Sequence, residues 1–307
     1  MRVRGRRGTL VLALLAMSLV GCAHNDTEGS AESGGIPPAP ANLVGKVDSG
    51  LRQQFPDRIQ ASGVLRLAAD PSYPPSTFKD AAGTIVGTLP DLATAITSRA
   101  GLKIEWVEVP FDGMLGGLQA KRFDASWSGW TLGAEREQVL NLVAYIKAGT
   151  SALVRSGNPA GVHTATDLCG RTVSVQTGTT QAQQVMDELQ RGCAAAGKAK
   201  VEVLQLPQQT NVNQAVATGR ADALLADNSL VGYQARLQPG VFEAVPGILI
   251  QAVHAGVAVP KDDLPLARAI AAGFDAIIAD GTYGQILARW QSSNAALPKA
   301  EVNPGTP

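Results

Sequence analysis

Apolar and polar positions along the chain follow two alternating periods. Val64–Ala69 is a short apolar run that ends at a turn and reads as a strand. Residues 89–99 place Leu92 and Ile96 among small residues at helical spacing and close at Gly101, which predicts a helix. Residues 102–109 alternate as a strand, 114–120 read as helix, and 123–127 as strand. A second cycle follows, with strands at 172–176, 201–206 and 221–225 and helices at 180–190 and 213–218. Strands alternating with helices predict an α/β fold with a largely parallel sheet.

Two passages echo one another. Residues 118–125 and 216–223 each read as a helix end, a basic turn and an Asp-Ala strand start, around Asp124-Ala125 and Asp222-Ala223. The echo suggests two lobes built alike. Towards the C-terminus Leu266, Ile270, Phe274, Ile277 and Ile278 mark one face of a helix that Gly281 stops. Thr282 and Gln285 have the spacing of a capping box for a last helix ending near Trp290. Residues 295–307 read as a loose tail. At the other end, folded structure is expected from about Val47, with a short helix before Pro56. Residues 22–46, rich in Ala, Gly, Ser, Pro and Asn, read as a flexible tether.

The first 21 residues have a different character. A basic stretch with Arg2, Arg4, Arg6 and Arg7 precedes an apolar run from Leu10 to Val20 that is too short for a confident membrane span. It ends in Leu19-Val20-Gly21-Cys22, which resembles the bacterial lipobox. That resemblance implies a lipoprotein signal peptide over 1–21, lipid on Cys22, and a mature chain held at the outer face of the cell membrane. The Arg6-Arg7 pair leaves Sec and twin-arginine export both open. Export to an oxidising compartment in turn leaves Cys169 and Cys193 as the pair expected to form a disulfide.

Over all 307 residues 26 basic side chains match 26 acidic ones, and loss of the four leader arginines leaves 22 basic. Neither balance gives the basic footprint of a nucleic-acid binder. Apolar content of 45% is ample for a buried core. His24, His163 and His254 are far apart and lack metal-ligand spacing, and neither a Gly-x-Ser-x-Gly elbow nor a Gly-Lys-Ser/Thr phosphate loop is present. The expectation is a protein with no metal, no cofactor and no catalytic set.

Between Ser62 and Trp290 a series of short motifs appears in a telling order. They are Gly63-Val-Leu-Arg-Leu, Asp70-Pro-Ser-Tyr-Pro-Pro75, Gly83-Thr-Ile-Val-Gly87 with Asp91-Leu92, and Phe123-Asp-Ala125. Ser128-Gly-Trp-Thr131 with Glu135-Arg136, Val175-Gln-Thr-Gly-Thr-Thr-Gln181, Gly219-Arg-Ala-Asp-Ala223 with Asp227, and Asp280-Gly-Thr-Tyr283 with Trp290 follow. Each is weak alone, but together they resemble bacterial solute-binding protein family 3, the polar amino acid binders of ABC importers. The resemblance implies a two-lobed periplasmic binding protein type II fold with two crossover strands. Residues 47–150 with 255–294 would form one lobe and 151–254 the other, with the ligand between them.

The residues fit a trap for a zwitterion. Arg136 has the planar fork that grips a carboxylate. Thr179, Thr180 and Gln181 sit where a strand turns into a helix, a place where backbone N–H groups favour an anion. Asp227, after an apolar strand, has the acceptors for an ammonium. On spacing alone Arg136 between Glu135 and Glu137 reads as a solvated charge, and Asp227 and the threonines read equally well as helix caps. The resemblance assigns Arg136, Thr180 and Asp227 to the ligand's charged head, together with Thr131 and, through its backbone, Gly129. It also matches Tyr73 and Phe111 to aromatics that sandwich the ligand side chain, and Asp70 to a carboxylate that accepts from a distal donor. The bland alternatives are core packing for the two aromatics and a turn before Pro71 for Asp70. Two departures reshape the pocket: Ser76 where the family usually has an aromatic, and Trp130 in place of a smaller apolar residue. No single amino acid is therefore named. The implied partners are an amino acid ligand, an ABC transporter permease and, through the anchor, the membrane, with the protein itself a monomer. Two other functions share the scaffold: an amino acid-sensing lobe for a membrane partner, and a dehydratase of the cyclohexadienyl or arogenate type. The second needs an acid near the pocket that the sequence does not identify.

Overall fold

A computed structural model describes residues 36–305. The expected signal peptide and the lipidation site at Cys22 lie outside the described residues. The chain begins with α1 (Ser49–Gln54) and α2 (Asp57–Ser62). Asp48 caps α1, accepting from Gly50 N and Leu51 N at 2.7 and 3.2 Å. Then come β1 (Val64–Ala69), the short strands β2 (Ser72–Tyr73), β3 (Thr77–Lys79) and β4 (Ile85–Val86), α3 (Thr88–Arg99) and β5 (Lys103–Glu108). They are followed by α4 (Met114–Gln119), β6 (Ala125–Thr131), α5 (Ala134–Val139) and the 16-residue β7 (Leu140–Arg155). The next cycle holds β8 (Thr172–Gln176), a π-helical turn over Gln181–Val185, α6 (Met186–Ala195), β9 (Glu202–Leu206), α7 (Gln209–Ala217), β10 (Ala223–Asp227) and α8 (Asn228–Leu237). The 19-residue β11 (Phe242–Pro260), α9 (Leu264–Ala279), α10 (Thr282–Arg289) and β12 (Ala296–Val302) complete it.

The fold is mixed α/β and two-lobed. Strands run in the order β5-β1-β6-β11-β7-β10-β8-β9. In one lobe β1 lies parallel between β5 and β6, and in the other β8 lies parallel between β9 and β10. The antiparallel pair β7 and β11 runs through both lobes: its Leu140–Pro260 end belongs with β6, and its Arg155–Phe242 end with β10. These are the two crossover strands that the resemblance implied. Parallel strands buried on both faces need cover on both sides. In the second lobe Val173, Val175 and Leu225 pack towards Val185, Met186 and Leu189 on one face. Leu153 and Leu224 pack with Val212, Val216 and Leu230 on the other. The first lobe closes around Trp127, Phe274 and Tyr145, whose rings stack at 5.9 and 5.4 Å.

The sequence echo has a structural cause. Asp124 accepts from Arg66 N in β1 at 2.8 Å, and Asp222 accepts from Thr172 N in β8 at 2.9 Å. In each lobe the aspartate at a strand start thus satisfies a free N–H of the neighbouring parallel strand. A disulfide joins Cys169 to Cys193 in α6, with Cα atoms 5.6 Å apart.

Three expectations are corrected. The segment after 295 is not a loose tail, because β12 pairs antiparallel with β7 and Ala300 N donates to Asp275 Oδ1 at 2.9 Å. The last ten residues of the expected tether are fixed. Arg99 donates to the carbonyls of Asn42 and Leu43, Asn42 Nδ2 donates to Thr282 Oγ1 at 2.8 Å, and Arg289 Nε donates to Pro37 O at 2.8 Å. Finally, Thr282 and Gln285 form no capping box. Gly281, at φ 81°, occupies the cap position, and the Thr282 hydroxyl is taken by Arg99 Nη2 and Asn42. The Asp280 carboxylate accepts from Thr282 N instead.

Candidate functional site

The two lobes meet across a cleft. Asp70, at the end of β1, accepts from Gln176 Nε2 of the opposite lobe at 2.7 Å. Tyr73 Oη accepts from Asp227 N at 3.0 Å, and Ser72 Oγ accepts from Gln209 N at 3.1 Å. Arg136, in the short α5, reaches over to donate to Gly178 O at 3.2 Å, and also donates to Thr131 O of its own lobe. Gly178 is required where it stands. Its φ is 79°, and a Cβ there would lie 3.1 Å from Asp112 Cα in the facing lobe. These bonds describe a closed cleft, and a cavity lined by both lobes lies within it.

The cavity is polar at its charged groups and aromatic between them. Arg136 enters from one side. Its guanidinium lies 5.1 Å from the Trp130 ring and 6.0 Å from that of Phe111, and these two rings stand 4.8 Å apart. Burial lowers the guanidinium to about 10, with Asp227 and Glu135 acting against the shift, so it stays charged at neutral pH. Asp227 faces it from the end of β10. Although Asp227 occupies the cap position of α8, its side chain caps nothing there, and Oδ1 accepts from Gln181 Nε2 at 2.9 Å. Burial pushes its carboxyl up to about 6, against hydrogen bonds from Gln181 and Tyr73 and the charge of Arg136. The two charges border one cavity. Gly129 lines the same cavity beside Asp227: a Cβ there would be 3.8 Å from Asp227 Oδ2.

Asp70 is a second buried carboxylate. Oδ1 accepts from Ser72 N at 3.1 Å, and Oδ2 accepts from Phe111 N and Gln176 Nε2. Burial raises its carboxyl above the usual range, against these hydrogen bonds. The two threonines differ. Thr179 is a turn residue, donating to Gln176 O at 2.7 Å and accepting from Ala182 N. Thr180 Oγ1 is buried beside the cavity with no partner among the described residues.

Of the side chains singled out in the sequence, Asp70, Tyr73, Phe111, Thr131, Arg136, Thr179, Thr180, Gln181 and Asp227 border this cavity, as does Gly129. Trp130 does not. It is buried behind Phe111, with Nε1 donating to Ser126 Oγ at 2.8 Å, and it supports the Arg136 guanidinium from below. Sequence reasoning missed Gln176, Thr77, Leu89 and Ser128 as lining residues. Gln176 stood in a quoted motif, and only the facing Asp70 explains it. Ser76 lines the cavity too.

Residues 65–293 match the family described as bacterial extracellular solute-binding proteins, family 3. The chain belongs to this family. Among its relatives is the arginine-binding protein ArgT of Corynebacterium glutamicum, 28% identical over 300 residues, with 98% of this chain and 96% of that protein covered. The histidine-binding periplasmic protein of Salmonella typhimurium is 28% identical over 232 residues, covering 74% of this chain and 86% of that protein. An ancestral arginine-binding protein solved with arginine bound superposes with a TM-score of 0.67 at 30% identity, covering 74% of this chain and 98% of that one. These family members are binding proteins by name. Among the described residues no helix is long and apolar enough to cross a membrane.

Proposed function

We propose that this protein captures a cationic α-amino acid outside the cytoplasm and delivers it to the permease of an ABC importer. In this reading it is a monomeric lipoprotein held at the membrane through Cys22. The hinge would lie where β7 and β11 cross, dividing 47–150 and 255–294 from 151–254. The observation that carries the reading is the opposition of Arg136 and Asp227 across a closed cavity. A bound amino acid would set its carboxylate against Arg136 and the idle hydroxyl of Thr180, and its ammonium against Asp227. Tyr73 and Phe111 would flank its side chain. Charge balance supports a cationic side chain. The cavity holds Arg136 against Asp70 and Asp227, so a neutral zwitterion would leave the Asp70 carboxylate buried without a counter-charge. That the named relatives bind arginine and histidine supports the same class.

Calorimetry against the free amino acids tests it. Arginine, lysine, ornithine or histidine should bind the purified protein, and neutral amino acids of similar size should bind far more weakly. Arg136→Ala leaves the ligand carboxylate buried and unmatched, a loss of about 3–5 kcal/mol, or at least two decades of affinity for every ligand. Near-normal binding by Arg136→Ala, or a panel in which no amino acid binds, would overturn the proposal.

A further inference from the structure

Among the described residues three buried polar side-chain atoms have no hydrogen-bond partner: Asn42 Oδ1, Thr77 Oγ1 and Thr180 Oγ1. Both threonines border the cleft cavity, whereas Asn42 lies in the segment packed against α10. Thr180 belongs to the carboxylate end of the site. Thr77 has no part in the chemistry described so far. It sits in β3, directly opposite Tyr73 of β2, in the same lobe as Asp70, and is only 2% exposed. A hydroxyl so deeply buried and unpaired carries a desolvation penalty that only a ligand atom or water can relieve.

We infer that Thr77 is a further specificity-determining residue, whose hydroxyl accepts a hydrogen bond from the cationic head of the ligand side chain. This rests on the proposed capture of a cationic amino acid. The acceptor count leads to it. Asp70 already accepts from Ser72 N, Phe111 N and Gln176 Nε2, the Ser72 side chain also hydrogen-bonds to it, and a carboxylate has about four lone-pair sites. Its acceptor capacity is largely spent. An ammonium brings three donors and a guanidinium five, and neither leaves water cheaply with donors unpaired. The nearby Leu89 and the Phe111 ring offer no strong acceptor. Thr77 Oγ1 does, with both lone pairs free.

Two substitutions test this, read by calorimetry with L-arginine, L-lysine and L-histidine and by thermal unfolding of the unliganded protein. Thr77→Val keeps the shape and removes the hydroxyl. It should weaken the tightest of the three ligands about tenfold or more, the range for a hydrogen bond to a charged group. The unliganded variant should melt at the same temperature as wild type or higher, because an unpaired buried hydroxyl has been lost. Thr77→Ser should restore wild-type affinity to within about threefold. Wild-type affinity in Thr77→Val would overturn the inference while leaving amino acid capture intact. A lowered melting temperature in unliganded Thr77→Val would also overturn it, since the hydroxyl would then be serving the fold. A wild-type protein that binds none of the three would overturn both readings together.

Discussion

Asp227→Asn preserves the shape of the side chain and removes its charge, which isolates the ammonium contact. In the unliganded protein burial holds the carboxyl at about 6, above the ordinary carboxylate value of 3.8. A value raised in the folded state stabilises the unliganded fold below about pH 4, and that contribution is lost as pH rises through about 6. Ligand binding runs the other way. An ammonium beside Asp227 favours the carboxylate, so binding must expel a proton wherever the free protein holds one. Affinity should then fall about tenfold per pH unit below about 6, close to 30-fold between about pH 7.5 and about pH 4.5. Titrations of L-arginine in two buffers of different ionisation enthalpy would count that proton, about half per ligand at about pH 6. The Asn variant has nothing to titrate there. It should bind at least about a hundredfold more weakly at neutral pH, the loss for a broken buried pair, with a shallower profile, to which Asp70 still contributes, and no proton release from this site. Parallel pH profiles for wild type and Asp227→Asn would refute the assignment, because the proton would belong to another group.

Two further outcomes concern the cysteines. The Cys169–Cys193 bridge closes a separation of 24 residues, and replacing both with Ser should lower stability by about 3 kcal/mol in urea unfolding while leaving ligand affinity intact; quantitative alkylation of either thiol without reductant would show that the bridge does not form. Cys22→Ala should shift the protein from the membrane to the soluble fraction, and a variant as membrane-bound as wild type would rule out lipid on that cysteine.

What the sequence reveals here is whatever repeats or is punctuated. The Asp124 and Asp222 echo is visible because each lobe solves one problem, the free N–H beside a strand start, with the same residue at the same place. The crossover strands are not visible as patterns. β7 changes neighbours midway, lying beside β12 at Ile146 and β10 at Thr150, so no single alternation runs through it. The charged residues of the site were legible through their motif order, and Asp227 could be told from a helix cap only once its carboxylate was seen to cap nothing. Trp130 was misplaced by one layer, since adjacent strand residues point to opposite faces and the sequence does not say which face meets the cleft. Gln176 stood in a motif that did not mark it as a lining residue, and Thr77 gave no signal. One is defined by a partner 106 positions away and the other by having no partner at all.

The pinning of 37–46 by Arg99 and Arg289, together with the pairing of β12 to the first half of β7, has a mechanical consequence. Both ends of the described chain are fastened to the same lobe, and the chain passes to the other lobe through β7 and β11. A pull on either end is therefore absorbed before it reaches the crossover. Whatever holds this protein in place, the position of the second lobe is then set at the cleft itself, by the bonds that cross it.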